Sequence, residues 1–314
     1  MREIPPLPPN PAAACDPDWL AAFRVALERA DLAAATVQAY LKDVRLFLRW
    51  LDADPAAGFP RMSELDLIAW RQHLIAERGL RPATVNRRLE ALRRLGRWAA
   101  EAGRLPGNLA NGVRPLRQAR DRQPVGLTIA EVHALLRAAG ASGHGHARRD
   151  YALVQLLVQT GLRVGEAAAL RRADVEVRER SGLVRVRDGK GGKAREVPLN
   201  AMARRALRLY LEQRPDDVAD ALFLSGRHAP LPVRSIQAIV GRLARRARLD
   251  RLPVSAHTLR HTFALNFLRA NPGQLVELAS LLGHESLDTT ALYTRPSRDD
   301  LAAGLERSPL NDDR

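Results

Sequence analysis

Tyr293 stands nine residues after His284, near the end of a 314-residue chain that holds only four tyrosines. The stretch around them reads Leu281-Leu-Gly-His-Glu-Ser-Leu-Asp-Thr-Thr-Ala-Leu-Tyr-Thr294. Gly283 sits where a helix would end. Ser286 sits where a shorter one would be capped, which puts Tyr293 about two turns into it. Upstream, Thr160-Gly-Leu-Arg163-Val-Gly-Glu166 sets Arg163 and Glu166 at i and i+3, on one helix face. Read alone, that pair is an ordinary surface ion pair. Ser255-Ala-His257-Thr-Leu-Arg260-His261 predicts a helix capped by Ser255, with His257 and Arg260 in the first turns, where the amino end favours an anion. Gly189-Lys190-Gly-Gly-Lys193 predicts a hairpin tip whose glycines let a ligand approach the backbone. No Lys-Ser/Thr follows a Gly-x-x-x-x-Gly frame, so it is not a nucleotide-binding P-loop.

Together these stretches supply two guanidiniums, imidazoles, a lysine, a carboxylate and a phenol. No second acidic residue accompanies them as a metal pair, and neither a metal nor a cofactor is expected. The set suits transfer of a phosphodiester to a phenol. Arg163 and Arg260 can clamp the non-bridging oxygens and stabilise the extra charge of a pentacoordinate transition state. Lys190 can protonate the departing oxygen, and His257 can help take the phenol's proton. Tyr293 then forms the covalent intermediate. Lys193 reads as a phosphate contact or a solvated charge, and His261 as structural. His228 and the pair His144 and His146 read as loop residues, and Tyr40 and Tyr151 as packed side chains.

The elements that must position this chemistry follow from patterning. Residues 1–15 form a Pro-rich tail, expected to be disordered. Residues 16–105 read as four helices. Trp19, Leu20, Phe23, Val25 and Leu27 mark the first, and Tyr40, Val44, Phe47, Leu48 and Leu51 the second. Ser63 starts the third, with Leu67, Ile68, Trp70, Leu74 and Ile75. Pro82 starts the fourth, with Val85, Leu89, Leu92, Leu95 and Trp98. The fourth also carries Arg81, Arg87, Arg88, Arg93, Arg94 and Arg97, a basic helix suited to DNA phosphates. Residues 106–125 read as a basic linker. A second domain, 126–314, opens on the capping box Thr128-x-x-Glu131. Its helical pattern gives way after Leu170 to alternation over Val175–Arg178, Leu183–Arg187 and Ala194–Leu199, a three-stranded antiparallel sheet. Helices return from Asn200, with Asn271-Pro272 expected to start the one over Gln274–Leu282. The fold class is mainly α with a small antiparallel β-sheet.

Net charge is +15, whereas apolar and charged fractions of 46% and 27% are ordinary. Such an excess points to a polyanionic partner, and nucleic acid fits better than a membrane surface, because the chain has no apolar run of membrane-spanning length. Cys15 is the single cysteine, which excludes internal disulfides and cysteine-based zinc sites and suits the cytoplasm. Only Lys42, Lys190 and Lys193 are lysines among 50 basic residues, so two in one turn stand out. Lysine, unlike arginine, gives up a proton at moderate cost.

The segments around Arg163 and Glu166, Lys190, His257 and Arg260, His284 and Tyr293 resemble, in order and spacing, the tyrosine recombinases, near the compact Xer-like and simple phage-type integrase branch. Thr36-x-x-x-Tyr40-x-x-Asp43-x-x-x-Phe47-x-x-Trp50 is similar to that family's helical core-binding, SAM-like domain. The resemblance implies catalytic residues Arg163, Lys190, His257, Arg260, His284 and Tyr293, with Glu166 supporting the first arginine. Arg81, Arg87, Arg88, Arg94 and Lys193 would bind DNA. It implies site-specific cutting and rejoining of double-stranded DNA through a 3′-phosphotyrosyl intermediate, without ATP or metal. It further implies two domains clamping the duplex, a homotetramer on DNA and a possible partner recombinase, with the closing helix around Leu301–Leu305 docking on a neighbouring protomer. The short tail leaves no room for a separate arm-site-binding domain. Gly165, Asn266 and Arg295 depart from the Xer pattern, which usually has Ser, His and His there, and they leave the biological programme open. Two alternatives share parts of the pattern: a type IB topoisomerase-like nicking-closing enzyme, and a DNA-binding regulator without chemistry.

Overall fold

The structure is a computed structural model, and it describes residues 18–30, 32, 34–54, 59–117, 124–141, 145–187, 194–215, 219–283 and 290–294. The expectations for residues 1–15, for Lys190, Lys193, His284, Ser286 and Arg295, and for Leu301–Leu305 lie outside the described residues. The chain divides into two compact units, Met1–Asp121 and Arg122–Arg314.

In the first unit four helices follow in order: α1 (Asp18–Arg29), α2 (Ala34–Trp50), α3 (Glu64–Ala76) and α4 (Pro82–Glu101). Ser63 caps α3 with a complete capping box closed by Asp66, so two orphan amide groups of the first turn are satisfied. Pro82 begins α4, where its missing N–H costs nothing. Trp19, Phe23, Val44, Phe47, Trp70, Leu74, Leu89 and Leu95 meet in one core. Val25 and Ile68, among the apolar residues that mark α1 and α3, are 43% and 42% exposed. Each belongs to its helix but lies off the stripe that its neighbours bury.

The stretch expected as a linker contributes to this core over its described part. Ala110 and Val113 are 3% exposed and join the cluster. Asn86 on α4 pairs with the backbone of Leu116 in both directions, at 2.9 and 2.7 Å. A short irregular segment packs this way without periodicity, because side chains satisfy its backbone groups one at a time.

The second unit is built around α6 (Ala147–Thr160), in which ten of 14 residues are buried, so it is covered on all sides. Around it lie α5 (Ile129–Gly140), α7 (Val164–Ala169), α8 (Ala201–Leu211), α9 (Val233–Arg246), α10 (Ala256–Ala270) and α11 (Leu275–Leu282). Thr128 and Glu131 form the capping box of α5, and Asn200 caps α8. Leu153, Leu156 and Leu157 are fully buried. Truncating any one of them to Ala costs about 2–5 kcal/mol. Between α7 and α8 run β1 (Val175–Val177), β2 (Gly182–Val186) and β3 (Arg195–Pro198), antiparallel and in that order. Val175, Val184 and Val197 stand in register across the three strands, and all are buried.

One helix start differs from expectation. Asn271 closes α10, its amide bonded to Phe267 O at 2.8 Å, and α11 begins only at Leu275. Gly273, at φ +88°, makes the turn between them. Among the described residues no helix is long and apolar enough to cross a membrane.

Candidate active site

The site of the second unit starts where α6 stops. Gly161 adopts φ +63°, and a Cβ there would meet the Phe263 ring at 2.4 Å and Leu282 Cδ2 at 2.8 Å. Conformation and crowding both demand glycine at this turn. The turn delivers Arg163 as the first residue before α7. Its amide donates to Glu166 Oε2 at 2.7 Å, and its Nη1 donates to Glu166 Oε1 at 2.9 Å. Glu166 therefore takes hold of one residue through both backbone and side chain. From β3, Arg195 closes the same carboxylate with a two-pronged fork at 2.9 and 2.8 Å. Burial alone would raise the Glu166 carboxyl, but the bonds from Arg195 and from the Arg163 amide outweigh it and hold it below the usual carboxylate range.

Across from this lies α10. Ser255 caps it, its hydroxyl accepting from the Thr258 amide at 3.2 Å, which fixes the first turn that carries His257 and Arg260. Arg260 is 3% exposed and donates to Gly161 O at 2.7 Å and Leu282 O at 2.8 Å. Burial, then the charge of Arg163, pulls its pKa down to about 10. It is still a cation at neutral pH.

Three arginines converge on the last carbonyls of α11. Arg195 Nε donates to Leu281 O at 2.9 Å, Arg260 Nη2 to Leu282 O at 2.8 Å, and Arg163 Nη2 to Gly283 O at 3.2 Å. These carbonyls are the orphan acceptors of a helix end, where partial negative charge accumulates. Gly283, at φ +63°, leaves space that a Cβ would take from Arg195, which lies 2.8 Å from that point. Carbonyls at this helix end thus hold the guanidiniums of Arg163 and Arg260 close together, with Arg163 also paired to Glu166.

Tyr293 completes the described site. It packs on Ala264, Leu278 and Leu282, and its amide bonds to Thr290 O at 3.0 Å. Its hydroxyl lies 2.7 Å from His261 Nδ1. His261 in turn meets the ring of His257 edge-on, with centroids 4.2 Å apart. Burial raises the Tyr293 phenol, with Arg260 opposing, so it is protonated at neutral pH. Burial, then His257 and Arg260, pulls His261 down to about 4. Burial, then Arg260 and Arg163, lowers His257 as well.

The structure therefore brings together Arg163, Glu166, His257, Arg260 and Tyr293 from separate stretches of chain. Residues 126–299 match the Phage integrase family, and residues 19–102 match the N-terminal SAM-like domain of phage integrases. The chain belongs to the phage integrase family, the tyrosine recombinases. This recombinase is 33% identical over 314 residues to the tyrosine recombinase XerD of Ralstonia nicotianae, covering 95% of this chain and 94% of the relative. It is 35% identical over 270 residues to the tyrosine recombinase XerC of Corynebacterium efficiens, covering 84% and 81%. Among solved structures, XerA recombinase aligns with a TM-score of 0.51 at 27% identity, covering 93% of this chain and 98% of that one. XerH recombinase bound to its difH substrate after cleavage shares the fold, with a TM-score of 0.70 at 22% identity over 86% and 79% of the chains.

Sequence reasoning left two residues of the recombinase's site without a role in it. Arg195 carries no signal, being one arginine among many. His261 does carry one: it lies one helical turn after His257 and so shares its face. In the first unit, the basic residues of α4 are more engaged than a bare phosphate-binding face would be. Arg87 Nη1 donates to Asp43, and Arg88 Nε lies 3.7 Å from the same carboxylate. Arg94 lies 3.6 Å from Glu90 and 5.7 Å over the Tyr40 ring. Arg81 precedes α4 and is exposed.

Proposed function

We propose that this chain is a site-specific DNA recombinase that breaks and rejoins duplex DNA with Tyr293 as nucleophile. The observation that carries the reading is the convergence of Arg163 and Arg260 on one helix end, with the Tyr293 hydroxyl beside α10. Tyr293 Oη attacks the scissile phosphorus. The Oη–P bond forms, the bond to the 5′ oxygen breaks, and the strand is left attached through a 3′-phosphotyrosine. Arg163 and Arg260 meet the non-bridging oxygens, where two forks offset the charge that the transition state gains. Glu166 and Arg195 keep Arg163 in place. His257 helps take the proton that the Tyr293 phenol gives up, His284 adds a phosphate contact, and Lys190 gives its proton to the departing 5′ oxygen. Attack by a 5′ hydroxyl on the phosphotyrosine reverses these steps and reseals DNA, because the broken bond's energy is kept in the new ester. The protein works in the cytoplasm as four copies on two duplexes, with or without a partner recombinase.

The test is a nicked duplex bearing the chain's own site, recovered by selecting bound fragments from genomic DNA. A nick close to the cleavage point lets the short product diffuse away and traps the covalent complex. The wild-type chain should become linked to the 3′ side, and Tyr293→Phe should form no adduct. Uncut, paired sites should sediment with four protein copies. An adduct that persists in Tyr293→Phe overturns the choice of nucleophile. Relaxation of supercoiled plasmid lacking the site would instead favour a nicking-closing enzyme.

A further inference from the structure

His257 is the imidazole expected at the phenol, yet the one that meets it is His261. Its Nδ1 lies 2.7 Å from Tyr293 Oη, a distance typical of a hydrogen bond involving a hydroxyl. Two features fix His261 there. It lies on α10, one residue after Arg260, whose guanidinium is bonded to Gly161 O and Leu282 O. The edge contact with His257 constrains the ring itself. The Tyr293 ring leans on apolar side chains, which set its depth but not the direction of Oη.

We propose that His261 is a positioning residue of the nucleophile: its Nδ1 accepts the hydrogen bond of the Tyr293 hydroxyl and aims Oη beside the arginine clamp. This rests on Tyr293 being the nucleophile. The tautomer is then the one with the proton on Nε2, and the phenol is the donor. Burial and the neighbouring His257 and Arg260 keep the ring neutral, as an acceptor must be. The phenol also keeps its proton until a phosphate arrives, so the attacking oxygen is held oriented but uncharged while no DNA is bound. Orientation of a reacting atom is worth a large part of a barrier. Removing one neutral hydrogen bond should slow attack up to roughly tenfold.

Two substitutions separate the hydrogen bond from the packing. His261→Phe keeps a ring and removes the acceptor. His261→Asn loses ring volume but sets an amide oxygen near the position of Nδ1. On the nicked duplex His261→Phe should form adduct roughly tenfold more slowly, and His261→Asn should recover most of the wild-type rate. The reverse order would show a packing role and overturn the proposal. Equal loss in both would overturn it in favour of proton uptake by the ring. A second measurement guards against general damage to the site. In the Tyr293→Phe background, hydrogen peroxide supplied as an outside nucleophile should cleave equally well with His261 intact and with His261→Phe added, since His261 acts only through the tyrosine. A drop on adding His261→Phe there would overturn the proposal. Adduct formation by Tyr293→Phe alone would refute the nucleophile assignment instead, and is read separately.

Discussion

Asp43 in the first unit and Glu166 in the second are each buried between two arginines, and their pKa values shift in opposite directions. In the first unit Asp43, 2% exposed, faces Arg87 and Arg88. In the second, Glu166, 9% exposed, faces Arg163 and Arg195. Burial raises Asp43, and the charges of Arg87 and Arg88 do not bring it back. Burial also acts to raise Glu166, yet its carboxyl falls below the ordinary range. Asp43 does not lack cations, since Lys42 adds its charge to those of Arg87 and Arg88, so the difference is directional bonding. Glu166 accepts four hydrogen bonds, from the Arg163 amide, Arg163 Nη1 and both arms of Arg195. Asp43 accepts one from its pair of arginines, from Arg87, and has only a 3.7 Å charge contact with Arg88. A buried carboxylate is a stable anion when its lone pairs are filled, not merely when positive charge is near.

The largest expected effect breaks the two clusters in parallel. Glu166→Gln keeps the shape and removes the charge that two arginines share. Both guanidiniums are then left without their anion, one of them largely buried. Stability should fall by about 3–5 kcal/mol, the range for removing one partner of a buried pair. Adduct formation should fall about 10²-fold, as for a misaligned transition-state donor. Asp43→Asn should cost only about 1 kcal/mol, the worth of one hydrogen bond, and leave adduct formation on saturating DNA unchanged. Denaturant titration and the nicked-duplex assay measure both. Equal losses in the two variants would end the distinction.

How legible these clusters are in the sequence differs for the same reason. Helix ends are readable because caps are local: Ser63, Thr128 and Ser255 each close a box within their own first turn. Strand alternation is readable because three valines in register need only a period of two. The Arg163–Glu166 pair is visible as i and i+3. Arg195 is not, since it reaches Glu166 across 29 residues and only the placement of β3 beside the end of α11 brings it there. The part played by residues 105–117 in the first core is hidden too, because Asn86 and Arg93 satisfy that segment through side chains rather than through a repeat. At the Asn271-Pro272 step, a residue that resembles a helix start serves to close the helix before it. The contact between His261 and Tyr293 depends on tertiary placement, although the helical face that His261 shares with His257 is there to be read.

A smaller effect sharpens the comparison through pH. The folded Glu166 titrates below its ordinary value of 4.5. The stability it contributes is therefore present above that value and lost as pH falls through the folded pKa. The folded Asp43 titrates above its ordinary 3.8. Its contribution has the opposite sign: stability declines as pH rises from the unfolded value through the folded one, and is level beyond. Denaturation curves between about pH 3 and 6 should show these opposed slopes. Glu166→Gln should remove the rising component, and Asp43→Asn the falling one. Variants whose curves merely run parallel to the wild type would mean that neither carboxylate titrates as its surroundings dictate.

The smallest effect concerns what the looser cluster leaves available. A guanidinium has five donors. Arg87 gives one nitrogen to Asp43 and keeps 44% of its side chain exposed. Arg195 commits Nε and both terminal nitrogens within the protein and is 10% exposed. Arg87 therefore retains the capacity to meet a phosphate, and Arg195 does not. Removing one phosphate partner lowers the steepness of log affinity against log salt by roughly 0.9. Arg87→Ala should reduce the slope by about that much, while Arg195→Lys should leave it unchanged, whatever it does to cleavage. Asp43→Asn should tighten binding at low salt, since the carboxylate no longer competes with the phosphate for Arg87. A slope that is the same with and without Arg87 would assign that side chain to Asp43 alone, and would move the DNA contacts of the first unit toward Arg81, at the exposed start of α4.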